Sequence, residues 1–481
     1  MSRRAPLILA VLALGLAACG SDSGDSSSTD DPVLHWNAVA QRVAGLDHER
    51  IPQEEDPRSS GWQFGPTRTS RAFAMVHIAV ADAVADLTGA FAPFYPTQRP
   101  ARPASLDAAV GQAAHDVLAV LYPKQIAALD ADLEIFLSAI PTGAAKAHGI
   151  AFGAGKASLA LAARARDGSE FQTPFQPIEY VYGQEPGEWR ADPTTLQLDP
   201  LTPDWGAVLP FVMASGVEFR APPPPALDSA EYAAAFDEVK ALGGDGVQTP
   251  TLRNQDETEA AIYWAYDGQP FLCAPVKLYN QVAALLARQR RLSTAENARL
   301  FGLINVAMAD AAIAVWETKY YYNLWRPVGG IREADVGTGP TGKGDGNPDT
   351  IGDPTWRPLG SPTDNNGLPL RNFTPPFPAY TSGHAGFGGA LFQVLRRFFG
   401  RDDLAFTFMS DELNGATVDQ NGVVRPRLPR RFLTLSQAEE ENGQSRVWLG
   451  VHWAFDKTAG LTQGRAVGNL VFDTAFRRRS K

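Results

Sequence analysis

The chain has 481 residues and a net charge of −10, with 43 Lys plus Arg against 53 Asp plus Glu. At 44% hydrophobic and 20% charged it has the balance of a globular protein, long enough for a large core or two domains. The acidic surplus argues against a nucleic-acid binder, so an anion site must be a local basic pocket, and two cysteines, Cys19 and Cys273, exclude a disulfide framework and a cysteine-built metal centre.

Arg3 and Arg4 precede an apolar run from Leu7 to Leu16, and Leu16-Ala17-Ala18-Cys19 follows. This resembles a bacterial lipoprotein signal. It predicts removal of residues 1–18 and acylation of Cys19, which would anchor an exported protein to a membrane of the cell envelope. A plain secretory signal is the alternative. Residues 19–32, rich in Ser, Asp and Gly, read as a polar tether. No other stretch reads as long and apolar enough to cross a bilayer.

Helical periodicity then recurs near 33–46, 67–88, 105–140 and 143–168, with Ser105 and Asp107 starting the third segment. Residues 169–226 turn Pro-rich and predict an irregular connection. Further helices are expected at 229–242, 256–266, 275–290 and 294–325, then a Gly- and Pro-rich loop over 326–381, then helices at 383–399, 436–449 and 455–478. No useful strand alternation stands out. The fold class is all-α: a helical bundle over 33–226, with its Pro-rich connection, and a second helical domain over 227–481.

Chemistry concentrates in three short segments of the second half. Lys319 and Arg326 lie seven residues apart, two turns if both are on one helix, with Pro327 expected to end it. Ser382-Gly383-His384 follows a Pro-rich approach and opens a helix, where free backbone N–H groups attract anions and Ser382 can cap. Arg446 offers a planar fork of donors, and Gly450 can turn the chain so that His452 faces the same pocket, with Asp456 following. Each segment alone also suits an ordinary helix terminus or a core histidine. Together they supply three cations, a hydroxyl, a Gly amide and two imidazoles, a set suited to a tetrahedral oxyanion. Asp345, Asp349 and Asp353 read as a solvated turn rather than a Ca²⁺ loop, and His35, His48, His77, His115 and His148 as structural or surface residues.

The order Lys-x6-Arg-Pro, Ser-Gly-His and Ser-Arg-x3-Gly-x-His resembles the vanadium-dependent haloperoxidases, and more broadly the superfamily they share with type 2 phosphatidic acid phosphatases and bacterial acid phosphatases. Thr381 stands where Pro is usual. Tyr263 through Gly268, Leu278 through Gln281 and Pro375 through Tyr380 extend the resemblance to the fungal chloroperoxidase type. The resemblance implies vanadate as cofactor, held by Lys319, Arg326, Ser382, Gly383 and Arg446, with His452 bonding the metal. It implies His384 as acid–base residue, Asp267 as partner of Arg446, and Trp316 and Phe377 on the halide side. Hydrogen peroxide and halide are then the substrates.

Two other readings fit the same residues. A phosphatase would use His452 as nucleophile and His384 to protonate the leaving alcohol of a phosphate ester. A lipid-anchored oxyanion-binding protein would need no acid–base residue, and His384 argues against it.

Overall fold

The computed structural model describes residues 31–48, 62–171, 180–194, 200–268, 271–362, 372–419 and 422–479. The predicted signal, Cys19 and nearly all of the tether lie outside them. Asp31 and Pro32, assigned to the tether, belong to the first helix: the Asp31 carboxylate accepts the amides of Val33 and Leu34 at 3.0 and 3.3 Å, and Pro32 occupies the first turn.

Helices dominate: α1 Pro32–Asp47, α2 Gly65–Thr88, α3 Leu106–Leu121, α4 Ile126–Ser138, α5 Ala144–Ala163, α6 Ala230–Leu242, α7 Gln255–Tyr263, α8 Pro275–Arg290, α9 Thr294–Tyr322, α10 Pro327–Arg332, α11 Gly383–Phe399, α12 Leu435–Trp448 and α13 Ala454–Thr474. The continuous helix expected over 105–140 is two helices. Pro123, with no N–H to donate, forces a 3-10 turn over Pro123–Gln125. Two short strands not foreseen, β1 Phe406–Phe408 and β2 Arg430–Phe432, pair antiparallel with Phe406 opposite Phe432.

α9 organises the molecule. Ser293 and Glu296 form a capping box at its start, and nearly every later residue is buried. It packs against α2 on one side and against α11 and α13 on the other, so one apolar core runs from Val33 to Phe476. The expectation that no stretch past the leader could span a membrane needs correcting. By length and composition α9 passes, with a mean hydropathy of 1.6, but that window is wholly buried, as suits a core helix. The irregular segment before α6 clasps α9: the buried Asp310 carboxylate accepts the amides of Phe211, Val212 and Met213 at 2.6, 2.8 and 3.0 Å.

The end of α9 differs from expectation in a way that matters for the site. The helix stops at Tyr322 because Asn323 takes a left-handed conformation, φ 50°, which Asn tolerates through local hydrogen bonding. Pro327 does not end a helix. It begins α10, with Arg326 as the extended residue before it. Lys319 and Arg326 therefore do not share a helix face.

Two histidines of the first half are tied into the fold. His48 bridges the Ala44 carbonyl at 2.8 Å and the Gly65 amide at 3.1 Å, and His115 sits between Asp116 and Asp130 at 2.8 and 2.9 Å. Asp345 is spent within its own turn, accepting from the Asn347 amide at 2.9 Å and the Thr350 hydroxyl at 2.7 Å.

Candidate active site

The last turn of α9, the start of α11 and the turn between α12 and α13 converge. Lys319 is fully buried, and its Nζ donates to the carbonyls of Pro378 and Ala379 at 2.8 and 2.9 Å. An ammonium has three protons, so one remains. Burial first, then the charges of Arg326 and Arg446, hold this ammonium well below the ordinary lysine range.

Arg326 donates from Nε to the Phe377 carbonyl at 2.8 Å and from Nη1 to the Val451 carbonyl at 2.7 Å. Burial pushes it down to about 9. Its Nη2 is buried without a hydrogen-bond partner. The Phe377 ring lies against both cations, its centroid 5.0 Å from Lys319 Nζ and 4.8 Å from the Arg326 guanidinium.

The turn to His452 forms as expected. Gly450 has φ 73°, and a Cβ there would stand 2.5 Å from the Gly243 carbonyl oxygen, so no other residue fits without displacing that backbone. His452 Nε2 lies 2.9 Å from Arg326 Nη1. A guanidinium can only donate, so Nε2 presents a lone pair and the ring proton sits on Nδ1. Nδ1 in turn lies 2.8 Å from Asp456 Oδ2. Burial and then Arg326, Lys319 and Arg446 hold His452 well below the ordinary histidine range, so it is neutral. Asp456, buried at the start of α13, is raised to about 7 by burial. Asp456 was noted in the sequence without a role, although a His and an Asp four residues apart at a helix start already suggest this pairing.

Ser382 caps α11, accepting the Ala385 amide at 3.5 Å, and its own amide donates to the Asp456 carbonyl at 3.0 Å. Gly383 is the first residue of α11, so its N–H has no acceptor within the helix. Thr381, the departure from the usual Pro, donates to Gln463 at 2.7 Å.

His384 is placed differently from a residue aimed only at an anion. Its Nε2 lies 2.7 Å from the Ala265 carbonyl, so Nε2 carries the proton and Nδ1 is the basic atom. Arg446 Nη1, 3.5 Å from that N–H, faces it donor to donor. Burial and then the Arg446 charge push His384 down to about 3. Its main-chain carbonyl accepts from Tyr279 and Asn442, both at 3.0 Å.

Arg446 Nη2 meets Asp267 Oδ2 at 2.8 Å, the partnership expected. Arg446 Nε is buried with no hydrogen-bond partner. The same Asp267 oxygen accepts from Ser361, a contact no sequence spacing suggested. Trp316 and Phe377 pack with ring centroids 4.9 Å apart and line the pocket with Phe387, Gly383, His384 and His452. The Trp316 N–H is spent on the Leu201 carbonyl at 3.1 Å. Pro66, from the start of α2, also reaches this pocket, so the first half of the chain contributes to its wall.

Comparison with known proteins places the chain among relatives of one family. Residues 299–481 match the family model of the VCPO second helical-bundle domain. The chain is 31% identical to vanadium chloroperoxidase of Curvularia inaequalis over 510 residues, covering 89% of this chain and 79% of that protein. Its fold is similar to the first bacterial vanadium-dependent iodoperoxidase, with a TM-score of 0.72, 24% identity, and coverage of 95% of this chain and 100% of the other. It is also similar to an apo-type bacterial vanadium-dependent chloroperoxidase, with a TM-score of 0.63, 18% identity, and coverage of 85% and 94%. The chain belongs to the vanadium chloroperoxidase family of haloperoxidases.

Proposed function

We propose that this protein oxidises halide with hydrogen peroxide, using vanadate held by Lys319, Arg326, Ser382, Gly383 and Arg446, with the metal bonded by His452. The observation that carries the reading is a pair of unspent buried donors, Arg326 Nη2 and Arg446 Nε. They accompany a neutral histidine whose Nε2 lone pair here accepts from Arg326 Nη1 and would turn to the metal once the anion takes that guanidinium. Buried polar groups without partners are costly, and an oxyanion would satisfy both guanidinium groups at once. Bound vanadate supplies Lewis acidity toward peroxide without a change of oxidation state.

The protein's own groups supply the rest. Three cations offset the ligand's negative charge and would raise its affinity. His384 is neutral, and its Nδ1 can take a proton from incoming peroxide. An anion offsetting the Arg446 charge would raise His384, so the ring could hold that proton and return it. The reaction joins halide to one peroxide oxygen as the O–O bond breaks. The halide loses two electrons, and the other oxygen leaves as water after taking up protons. Trp316, Phe377 and Phe387 form a wall with no free N–H on Trp316, so a halide there loses water without gaining a strong donor.

The test compares two activities of one preparation. With orthovanadate and peroxide, the protein should brominate a phenolic dye, and the rate should fall to background when vanadate is omitted. Fast hydrolysis of p-nitrophenyl phosphate, with no bromination at any acidic or neutral pH, would overturn this reading in favour of a phosphatase.

A further inference from the structure

Ser361 lies in the long loop between α10 and α11, yet it is 1% exposed and held on both flanks. Its amide donates to the Phe373 carbonyl at 2.8 Å, and the amide of Gly360 donates to the Leu449 carbonyl, just past α12, also at 2.8 Å. Gly360 has φ 71°, and a Cβ there would lie 2.3 Å from the Asn372 carbonyl carbon, so this close pairing of loop strands needs glycine. The loop is thereby fastened to the helix that carries Arg446. The Ser361 hydroxyl donates to Asp267 Oδ2, the same oxygen that takes Arg446 Nη2 at 2.8 Å. Asp267 is restrained from its own side as well. Tyr266, with φ 40°, donates its amide to the buried Glu412 carboxylate at 3.1 Å.

A guanidinium presents two edges to a carboxylate: Nη1 with Nη2, or Nε with Nη2. A carboxylate free to rotate would take the second edge as a fork and consume Nε. Here Asp267 engages Nη2 while Nε stays without a partner. We propose that Ser361 is a positioning residue: by donating to Asp267 Oδ2 it fixes the carboxylate so that Arg446 pairs through Nη2 and keeps Nε for the bound oxyanion. Ser361 acts through Asp267 and Arg446 and does not touch the ligand. The inference rests on the proposed anion site.

The test is calorimetric titration of purified full-length protein with orthovanadate and, separately, inorganic phosphate. Ser361→Ala should weaken both by roughly 10-fold, within the range typical for partners of ligand-binding side chains. Its thermal midpoint serves as a check that the variant is folded. In an Asp267→Ala background, Ser361→Ala should cause no further loss, because the relay is already cut. A purely structural role would instead give additive losses. Wild-type affinity in Ser361→Ala, or additive losses in the double variant, would overturn the proposal while leaving the anion site intact. Failure of the wild-type protein to bind either anion would overturn the site itself and this inference with it.

Discussion

His452 Nδ1 lies 2.8 Å from the Asp456 carboxylate. Asp456 also caps α13 by accepting the Trp453 amide at 3.1 Å, so one carboxylate fixes both a helix start and the imidazole beside it. Such partners fix the tautomer and orientation of a ligating ring and raise its basicity.

The first prediction follows from that pair. Asp456→Asn should lower orthovanadate affinity by roughly 10–100-fold. The fold should persist, because an Asn amide oxygen at this N3 position can still accept the Trp453 amide. Equilibrium dialysis with orthovanadate measures it. Unchanged affinity would mean that His452 needs no orienting partner.

Proton linkage gives a second. Burial and mutual repulsion hold Lys319 well below its ordinary value and push Arg326 to about 9. A bound anion favours their charged forms and raises both. Groups raised on binding strengthen it at low pH and weaken it as pH rises through the bound-state value. Anion binding near pH 9, where Arg326 titrates, should therefore take up protons. Calorimetry in buffers of different ionisation enthalpy reads this directly, and proton release would contradict the electrostatic account.

His384 gives a third. His384→Ala should cut bromide oxidation by roughly 10²–10⁴-fold, the usual worth of a positioned acid–base group. Orthovanadate should still bind, because the anion donors and His452 remain. Kinetics and dialysis on one preparation separate the two effects. Full activity would remove His384 from the chemistry.

A fourth concerns stability. Burial pushes His77 down to about 3 from an ordinary 6.5. Between those values the unfolded chain binds the proton and the folded chain does not. Stability from this residue is therefore present above 6.5 and lost as pH falls toward 3. His77→Gln should flatten the pH dependence of the urea midpoint between pH 5 and 7 by up to about one proton. An unaltered slope would show that His77 does not contribute.

Much of the local geometry of the candidate site was legible in the sequence because its donors lie in short motifs next to helix termini, where local rules apply. Ser382 at the cap of α11 and Gly450 at the turn before His452 are both where those rules put them. The end of α9 was not legible. The aromatic run through Tyr322 continues the helical pattern, and the decisive left-handed residue is Asn323, not Pro327. Ser361 was not legible either, because it reaches Asp267 across 94 residues, and only the folded loop brings them together. The separation of the two halves is blurred by α9, whose faces serve both.

The central claim is that one oxyanion sits against His452 in a cradle of buried cations. Titration calorimetry of the full chain with orthovanadate tests it most directly. The account predicts one orthovanadate per wild-type chain and loss of tight binding in His452→Ala, with the variant otherwise folded. Binding as tight in His452→Ala as in wild type would contradict it.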